Sequence, residues 1–482
     1  MFFYFVRTAC RSRRTYTVPR QCFGTLARSL AALACLTTFA IAQETTALAL
    51  VDDPILVELV DTALANRPEL AEARANIQAD LARAHQAGAL PDPSLSLGIQ
   101  NDSFKSIEIG RMESSYLSIA ASQTFPWFGK RALRTDSQSF GTRQSEAQLE
   151  QAIYTVRAQV ETAYIDLLLV RDRLGLLETL DGLWTQAEGY ARIRYELGEG
   201  AQSDLLRAQL EHSRLKQRRW ALTAQERRTL AELNRLRAYP LDASIVTDRS
   251  LMRFPDPTAP TLTAALQDAE ARSPDLRSAR LAIEASEVQV DLAHKDFYPD
   301  LTVSGGAMLR WGNFGPMWQL GVSFPLPIWA GRKQSSAVGE NQFRQTAARS
   351  KAEAIRQLLA QKVTERLALL EALCETNKLY RSGLLDQSRA TALSTLAQYQ
   401  VGRVSFASVL EALNGYVSDL DAFYASVAAA QRVGIAERAV SLDALGGSSS
   451  GALGTSAIAD ADDATADAPA DSSSSSSSMS KM

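Results

Sequence analysis

The sequence predicts a mainly α-helical protein with a small β part, built from one structural unit that occurs twice. Three observations carry this prediction: segments that repeat at one spacing, a heptad pattern in a long helix, and short stretches of alternating hydrophobicity. The clearest repeat is the pair of turns YELGEGAQSDLLRAQ and YQVGRVSFASVLEAL, in which these residues are 204 apart: Tyr195 and Tyr399, Gly198 and Gly402, Leu206 and Leu410.

Two further segments repeat in the same order. Residues 66–97 and 272–303 align without a gap, and they pair Pro68 with Pro274 at a spacing of 206. The segment FPWFGKR then has a looser match in FPLPIWAGRK. Three matches in one order along the chain indicate an internal duplication.

The N-terminal 42 residues are predicted to be a secretory signal peptide. An arginine-rich lead precedes the apolar run LAALACLTTFAIA, which ends in the small-x-small pattern Ala40-Ile41-Ala42. A retained membrane anchor is the alternative reading. Cys35 is a weak candidate for lipidation, because Ala32 occupies the position where a lipobox has leucine.

The mature chain is predicted to contain a first structural repeat over residues 43–240, a connector over 241–260 and a second repeat over 261–445. Residues 446–482 are rich in serine, aspartate and alanine, which predicts a disordered acidic tail. Each repeat should contain an Ala-rich helix, two short strands, a long helix and a return helix. The predicted helices span about 54–88, 132–197 and 203–238, then about 262–296, 333–400 and 405–443.

The long helix of the first repeat carries an apolar seam with a spacing of seven. About 65 helical residues at about 1.5 Å each would span roughly 100 Å, and the seam predicts coiled-coil packing against other helices. The seam consists of Ile153, Val160, Leu167 and Leu174, interleaved with Val156, Ala163, Val170, Leu177 and Trp184.

The predicted strands alternate apolar residues with small, mostly uncharged polar ones, as in LSLGI and WQLGVSF. This pattern fits a membrane β-barrel, and it also fits two soluble hairpins with one face buried on helices. Four strands cannot close a barrel, so a barrel would need several chains, and three would supply twelve strands. Aromatic residues suited to a membrane interface lie near the strand ends: Trp127, Phe128 and Trp329 at one end, Trp311 and Trp318 at the other.

The duplicated unit, the TFPWFGKR and FPLPIWAGR segments and the paired turns resemble the TolC-type outer-membrane efflux proteins. This resemblance covers residues from about 54 to about 443. It implies a homotrimer with a twelve-stranded β-barrel in outer-membrane lipid and a long periplasmic α-barrel. A periplasmic adaptor protein and an inner-membrane pump are the implied partners. The FPWFGKR form is most similar to the branch that serves heavy-metal cation pumps.

The same resemblance implies that the two turns are helical tips where the adaptor docks and the channel closes. Gly198, Gly402, Leu206 and Leu410 mark the tips. In the family, an acidic residue bonds a tyrosine of the second tip, and the matching residues are Asp204 and Tyr399. A simpler reading of Asp204 is an acid that favours a helix N-terminus.

A second family contact at the tip uses an arginine, but the matching position here is Val404, and Arg403 stands beside it. The family also places acidic residues at the constriction, where this chain has Ser408 and Glu411. One carboxylate per chain would give a ring that favours cations less strongly than two would.

No catalytic or metal motif is recognisable, and no cofactor or nucleic-acid partner is expected. The histidines His85, His212 and His294 are each predicted to be isolated surface residues. The leading hypothesis is a passive outer-membrane channel of a tripartite efflux system, for heavy-metal cations or drugs. The alternatives are a conduit for type I protein secretion, a secreted coiled-coil scaffold, and a periplasmic enzyme.

Overall fold

The computed structural model describes residues 53–440, apart from 248 and 313, and residue 442. The predicted signal peptide (1–42), Cys35 and the predicted tail (446–482) lie outside the described residues. The prediction of a mainly α protein with a small β part is confirmed, since the described residues form long helices and one four-stranded sheet. None of the described helices is both long enough and apolar enough to cross a membrane.

The two halves of the described chain have the same order of elements. The first half contains α1 (Pro54–Asn66), α2 (Pro68–Gly88), β1 (Ser94–Gln100), β2 (Tyr116–Phe125), α3 (Lys130–Glu196) and α4 (Gln202–Leu236). The second half contains α5 (Leu262–Arg272), α6 (Pro274–Lys295), β3 (Leu301–Leu309), β4 (Met317–Ser323), α7 (Gln334–Leu379), α8 (Leu385–Gln400) and α9 (Phe406–Arg438).

A proline divides the Ala-rich helix at the start of each half, so the prediction of a single helix there is wrong. Arg67 adopts φ −70° and ψ 124°, and Ser273 adopts φ −64° and ψ 114°. Both are extended because the ring of the following proline, Pro68 or Pro274, excludes the helical region for the residue before it.

The second long helix is also not the single element that the sequence predicts. Its two parts, α7 and α8, are joined by a π-helical turn over Tyr380–Leu384, in which Gly383 leaves helical geometry. The segment between the two halves packs beside this turn, where Asp256 accepts hydrogen bonds from Asn377 at 2.8 Å and Arg381 at 2.9 Å. By contrast, α3 is continuous over 67 residues, or roughly 100 Å.

Helix α3 is the central element and packs against α1, α2, α4, α6 and α9. Most of its predicted heptad seam is buried, including Val160, Leu167 and Trp184. Three ion pairs also join α3 to the antiparallel α9, and such pairs at the edge of an apolar seam fix which residues face each other. They are Glu161 with Arg438, Asp166 with Arg432, and Arg173 with Asp421.

The four strands form one antiparallel sheet in the order β1-β2-β3-β4. Cross-strand partners place Leu97, Ile119, Ala307 and Trp318 in one row on one face. This face is exposed, with 69% of Leu97 and 82% of Trp318 accessible. The chain's own helices therefore do not cover it, contrary to the reading of soluble hairpins with a buried apolar face.

The opposite face of the sheet is lined by small polar residues and glycine. Ser94, Ser122, Ser304 and Gly321 form a row across the four strands, and the hydroxyls of Ser94 and Ser122 are 2.7 Å apart. Within the described chain, the outer edges of β1 and β4 pair with no further strand. An open sheet with one apolar face is a surface that other chains can complete.

Candidate functional site

The two repeated turns have the same backbone structure. At the end of α3, the amide of Glu199 donates to the carbonyl of Arg194 at 2.9 Å; at the end of α8, Arg403 donates to Gln398 at 2.9 Å. Gly198 and Gly402 have φ of 77° and 76°. This is the Schellman motif, which requires a left-handed residue and therefore favours glycine.

Tyr399 lies at the second turn and reaches the first helical hairpin, which is formed by α3 and α4. Its side chain is almost fully buried, at 1% exposed, and its hydroxyl donates to Asp204 Oδ2 at 3.3 Å. The ring of Phe406 packs against it edge to face at 5.3 Å. Burial raises the pKa of Tyr399 to about 12, and the charge and hydrogen bond of Asp204 add to this rise.

Arg194 is a third member of this contact that the sequence analysis did not find. Its guanidinium lies over the ring of Tyr399, 5.0 Å from the centroid, and Nη1 donates to the Tyr399 carbonyl at 3.0 Å. Nη2 donates to the carbonyl of Glu199 at 3.2 Å. The repeat counterpart of Arg194 is Gln398, so comparing the two turns gives no signal for it.

The other predicted residues of the tips do not join this contact. Arg403 and Glu411 are exposed, and Ser408 instead takes part in the cap of α9, where its amide donates to the side chain of Ser405 at 3.3 Å. Leu206 is exposed, whereas Leu410 packs against the core. The structure thus brings Asp204 and Tyr399 together and leaves the roles of the others as predictions.

The prediction that every histidine is isolated is wrong for His212. Its two ring nitrogens each lie 3.3 Å from a carboxylate, Nδ1 from Asp181 and Nε2 from Glu188. His85 and His294 are exposed, as predicted. In the part of the chain that the structure describes, no group of three or more His, Cys, Asp or Glu residues could hold a metal ion.

The FPWFGKR segment forms a junction between the halves of the chain. The amino group of Lys130 is buried, donating to Asp300 and to the Tyr298 carbonyl, both at 2.9 Å, and lying 3.3 Å from Asp296. Trp127 stacks on Tyr298 with ring centroids 5.3 Å apart. The two hairpins of the sheet are therefore tied together at the ends where the strands meet the helices.

The predicted interface aromatics lie at two opposite ends of the sheet. Trp127, Phe128 and Trp329 lie on the helix side, beyond the ends of β2 and β4. Trp311 lies between β3 and β4, and Trp318 is the second residue of β4. Phe128 and Trp329 are exposed to 85% and 73%, which is typical of residues that contact lipid or another chain.

The family model of the outer membrane efflux protein matches the chain twice, over residues 59–239 and 265–444. The chain belongs to the outer membrane efflux protein family. The two matched ranges contain the two Schellman turns and the four strands.

Two solved outer-membrane channels share the fold of this efflux family member. OprN is 18% identical with a TM-score of 0.68, covering 82% of this chain and 92% of its own. The open-state MtrE channel of Neisseria gonorrhoeae is 19% identical with a TM-score of 0.66, and the match covers 80% of this chain and 89% of the MtrE chain. The family and these two neighbours are efflux and channel proteins rather than enzymes.

Among curated proteins, Protein CyaE of Bordetella pertussis (strain Tohama I) is 27% identical over 270 residues. The match covers 53% of this chain and 54% of CyaE, so the chain spans about half the length of this relative.

Proposed function

We propose that this protein is the outer-membrane channel of a tripartite efflux system, conducting substrate passively from the periplasm to the outside. The observation that carries the proposal is the open sheet, which has an exposed apolar face, an opposite face of small polar residues, and two unpaired edges. Backbone groups at such edges must be paired inside hydrocarbon. Three chains that pair β1 with the next chain's β4 would satisfy them and close a twelve-stranded barrel.

In this arrangement the apolar row of Leu97 and Trp318 faces lipid and the serine row faces the lumen. Trp127 and Trp329 then lie at one membrane interface, with Trp311 near the other. The helices extend into the periplasm. An inner-membrane pump supplies the energy, and the channel itself performs no chemistry.

The paired turns are proposed as the periplasmic entrance. The tip of the second helical hairpin, formed by α8 and α9, is joined to the tip of the first by contacts among Asp204, Tyr399 and Arg194. This contact favours the closed state. Opening would need the Tyr399 contacts to break. The exposed tip residues Gly198, Leu206 and Gly402 are proposed to receive the periplasmic adaptor, with Leu410 supporting the second tip from behind.

The proposed cargo is a heavy-metal cation or a drug, selected mainly by the pump. Glu411 is the carboxylate that would line the constriction, and Ser408 makes its preference for cations weaker. The FPWFGKR segment, which is similar to the heavy-metal branch, uses Lys130 and Trp127 to hold the two hairpins together. Its residues therefore act in the junction rather than on the cargo.

Imaging of the detergent-extracted protein tests this function, together with conductance in planar bilayers. We expect a three-fold rod in which the helices contribute roughly 100 Å, and stepwise conductance after insertion. A secreted scaffold would stay soluble without detergent and give no conductance. Either of those results would overturn the proposal.

A further inference from the structure

A cavity of about 760 Å³ lies where the sheet meets the helices. Its size falls within the range of sites that hold small ligands, about 300–1,000 Å³. Apolar and aromatic side chains form most of its wall, and Arg131 also lines it. The apolar side chains include Leu90, Phe125, Trp127, Phe128, Ala132, Leu301 and Phe324.

The strand register places this cavity on the exposed apolar face of the sheet. Phe125 pairs with Leu301, two positions along from the pair formed by Gln123 and Val303. Val303 in turn pairs with Val322. Because side chains two apart share a face, Phe125, Leu301 and Phe324 continue the row that holds Val322. The cavity therefore opens on the side that the proposed function assigns to lipid.

Arg131 is the one cationic side chain among the described residues that line the cavity. Nε and Nη2 of Arg131 both donate to the carbonyl of Gly88, at 2.9 and 2.7 Å, which fixes the guanidinium in place. The residue is exposed, and Nη1 takes no part in the hydrogen bonds to Gly88. An apolar pocket with one fixed guanidinium beside it suits an amphiphile that has an acyl chain and an anionic oxygen group.

We propose that this cavity binds one membrane phospholipid, with an acyl chain against Phe125, Phe128 and Phe324 and the phosphate at Arg131. The proposal rests on the proposed function, since it takes the apolar face of the sheet to contact the bilayer. The stacked rings of Trp127 and Tyr298 then lie at the level of the headgroups, where amphipathic aromatics are enriched. The lipid would belong to the leaflet next to the helices.

Lipid retention in the purified full-length protein tests this site. After exhaustive washing in detergent, we expect one phospholipid per chain, measured by phosphate analysis and mass spectrometry. Ala132→Trp fills the cavity and should reduce retention to background. Ala307→Trp adds the same side chain elsewhere on the apolar face and should keep it. Leu90→Trp fills the cavity from another segment, in case Ala132→Trp does not fold.

Fluorescence locates the lipid. A phospholipid brominated in its acyl chain, titrated into the delipidated protein, should quench a saturable fraction of the emission. This fraction should disappear in Trp127→Phe, and Arg131→Gln should require more lipid for the same quenching. Arg131→Lys, which keeps the charge, should lie between Arg131→Gln and the wild type.

Two results would overturn the site. Equal retention by Ala132→Trp and Ala307→Trp would place the lipid elsewhere. A wild-type protein that retains no lipid would mean that detergent or a neighbouring chain fills the cavity. Conductance separates this failure from failure of the proposed function: a conducting protein without bound lipid would refute only the lipid site, whereas a protein that neither inserts nor conducts would refute the channel.

Discussion

The hydroxyl of Tyr399 on the second helical hairpin donates a hydrogen bond to Asp204 on the first helical hairpin, with 3.3 Å between the two oxygens. Tyr399→Phe removes this bond and retains the ring. We expect the proposed closed state to lose about 1 kcal/mol of stability, so that the ratio of open to closed channels rises about fivefold. Single-channel recording measures this change. Tyr195→Phe is the matched control, because Tyr195 is the exposed counterpart in the first turn, and equal effects of the two substitutions would contradict the gate.

Arg194 should hold Tyr399 in place although Arg194 itself is only partly buried. Arg194→Lys keeps the charge but loses the planar group that lies over the ring and reaches two carbonyls. The expected cost to the closed tip is about 1–2 kcal/mol, seen as higher conductance and faster proteolysis at the turns. Arg192→Lys is the control, since Arg192 pairs with Glu188 on its own helix. Unchanged conductance in Arg194→Lys would show that the contact of Arg194 with Tyr399 does not help to keep the channel closed.

Titration of Tyr399 should be displaced to high pH. Its pKa of about 12 lies above the ordinary value of 10.0, so the neutral buried hydroxyl contributes its full stability below pH 10. That contribution is lost as the pH rises through about 12. The difference in phenolate absorbance between the wild type and Tyr399→Phe should therefore appear near pH 12. The same measurement on Tyr195→Phe supplies the comparison, and a Tyr399 difference already complete at pH 10 would contradict the buried contact.

The sequence predicted the two turns because a left-handed glycine after a helix is a local requirement, visible in both repeats. The partnership of Asp204 and Tyr399 came from the family resemblance, and no local pattern connects residues so far apart. Arg194 escaped prediction because its contacts with Tyr399 join two helical hairpins that are distant in the sequence.

Two departures in the helices have different causes. Pro68 and Pro274 are themselves a local signal for a helix break. The apolar pattern nevertheless continues across both prolines, and it favoured the prediction of a single helix in each half. The π-helical turn at Tyr380–Leu384 lies where Arg381 and Asn377 bind Asp256. That partner lies in a distant segment, so the local sequence around the turn does not predict the interruption.

Lys130 should be important for joining the two hairpins of the sheet. Lys130→Met leaves Asp300 and Asp296 without their shared cation and the Tyr298 carbonyl without a donor. We expect a loss of about 2 kcal/mol, measured as a lower melting temperature of the detergent-solubilised protein. Lys333→Met, at an exposed lysine in the matching segment of the second repeat, is the control. Similar melting temperatures for the two variants would show that the buried contacts contribute little.

The two turn glycines give a matched pair that separates backbone strain from crowding at Tyr399. Both have positive φ, so alanine at either position should cost about 1–2 kcal/mol in backbone conformation. A Cβ at Gly198 would meet nothing within 4 Å, whereas a Cβ at Gly402 would lie 3.3 Å from Nη2 of Arg194.

Gly402→Ala should therefore displace the guanidinium and raise conductance, while Gly198→Ala should lower stability at the first turn and leave conductance near the wild-type value. Single-channel recordings measure the conductance of both variants, after circular dichroism has verified that each is folded like the wild type. If Gly198→Ala opens the channel as much as Gly402→Ala does, then strain in either turn is sufficient for opening. Arg194 would then not be the element through which Gly402 acts on Tyr399.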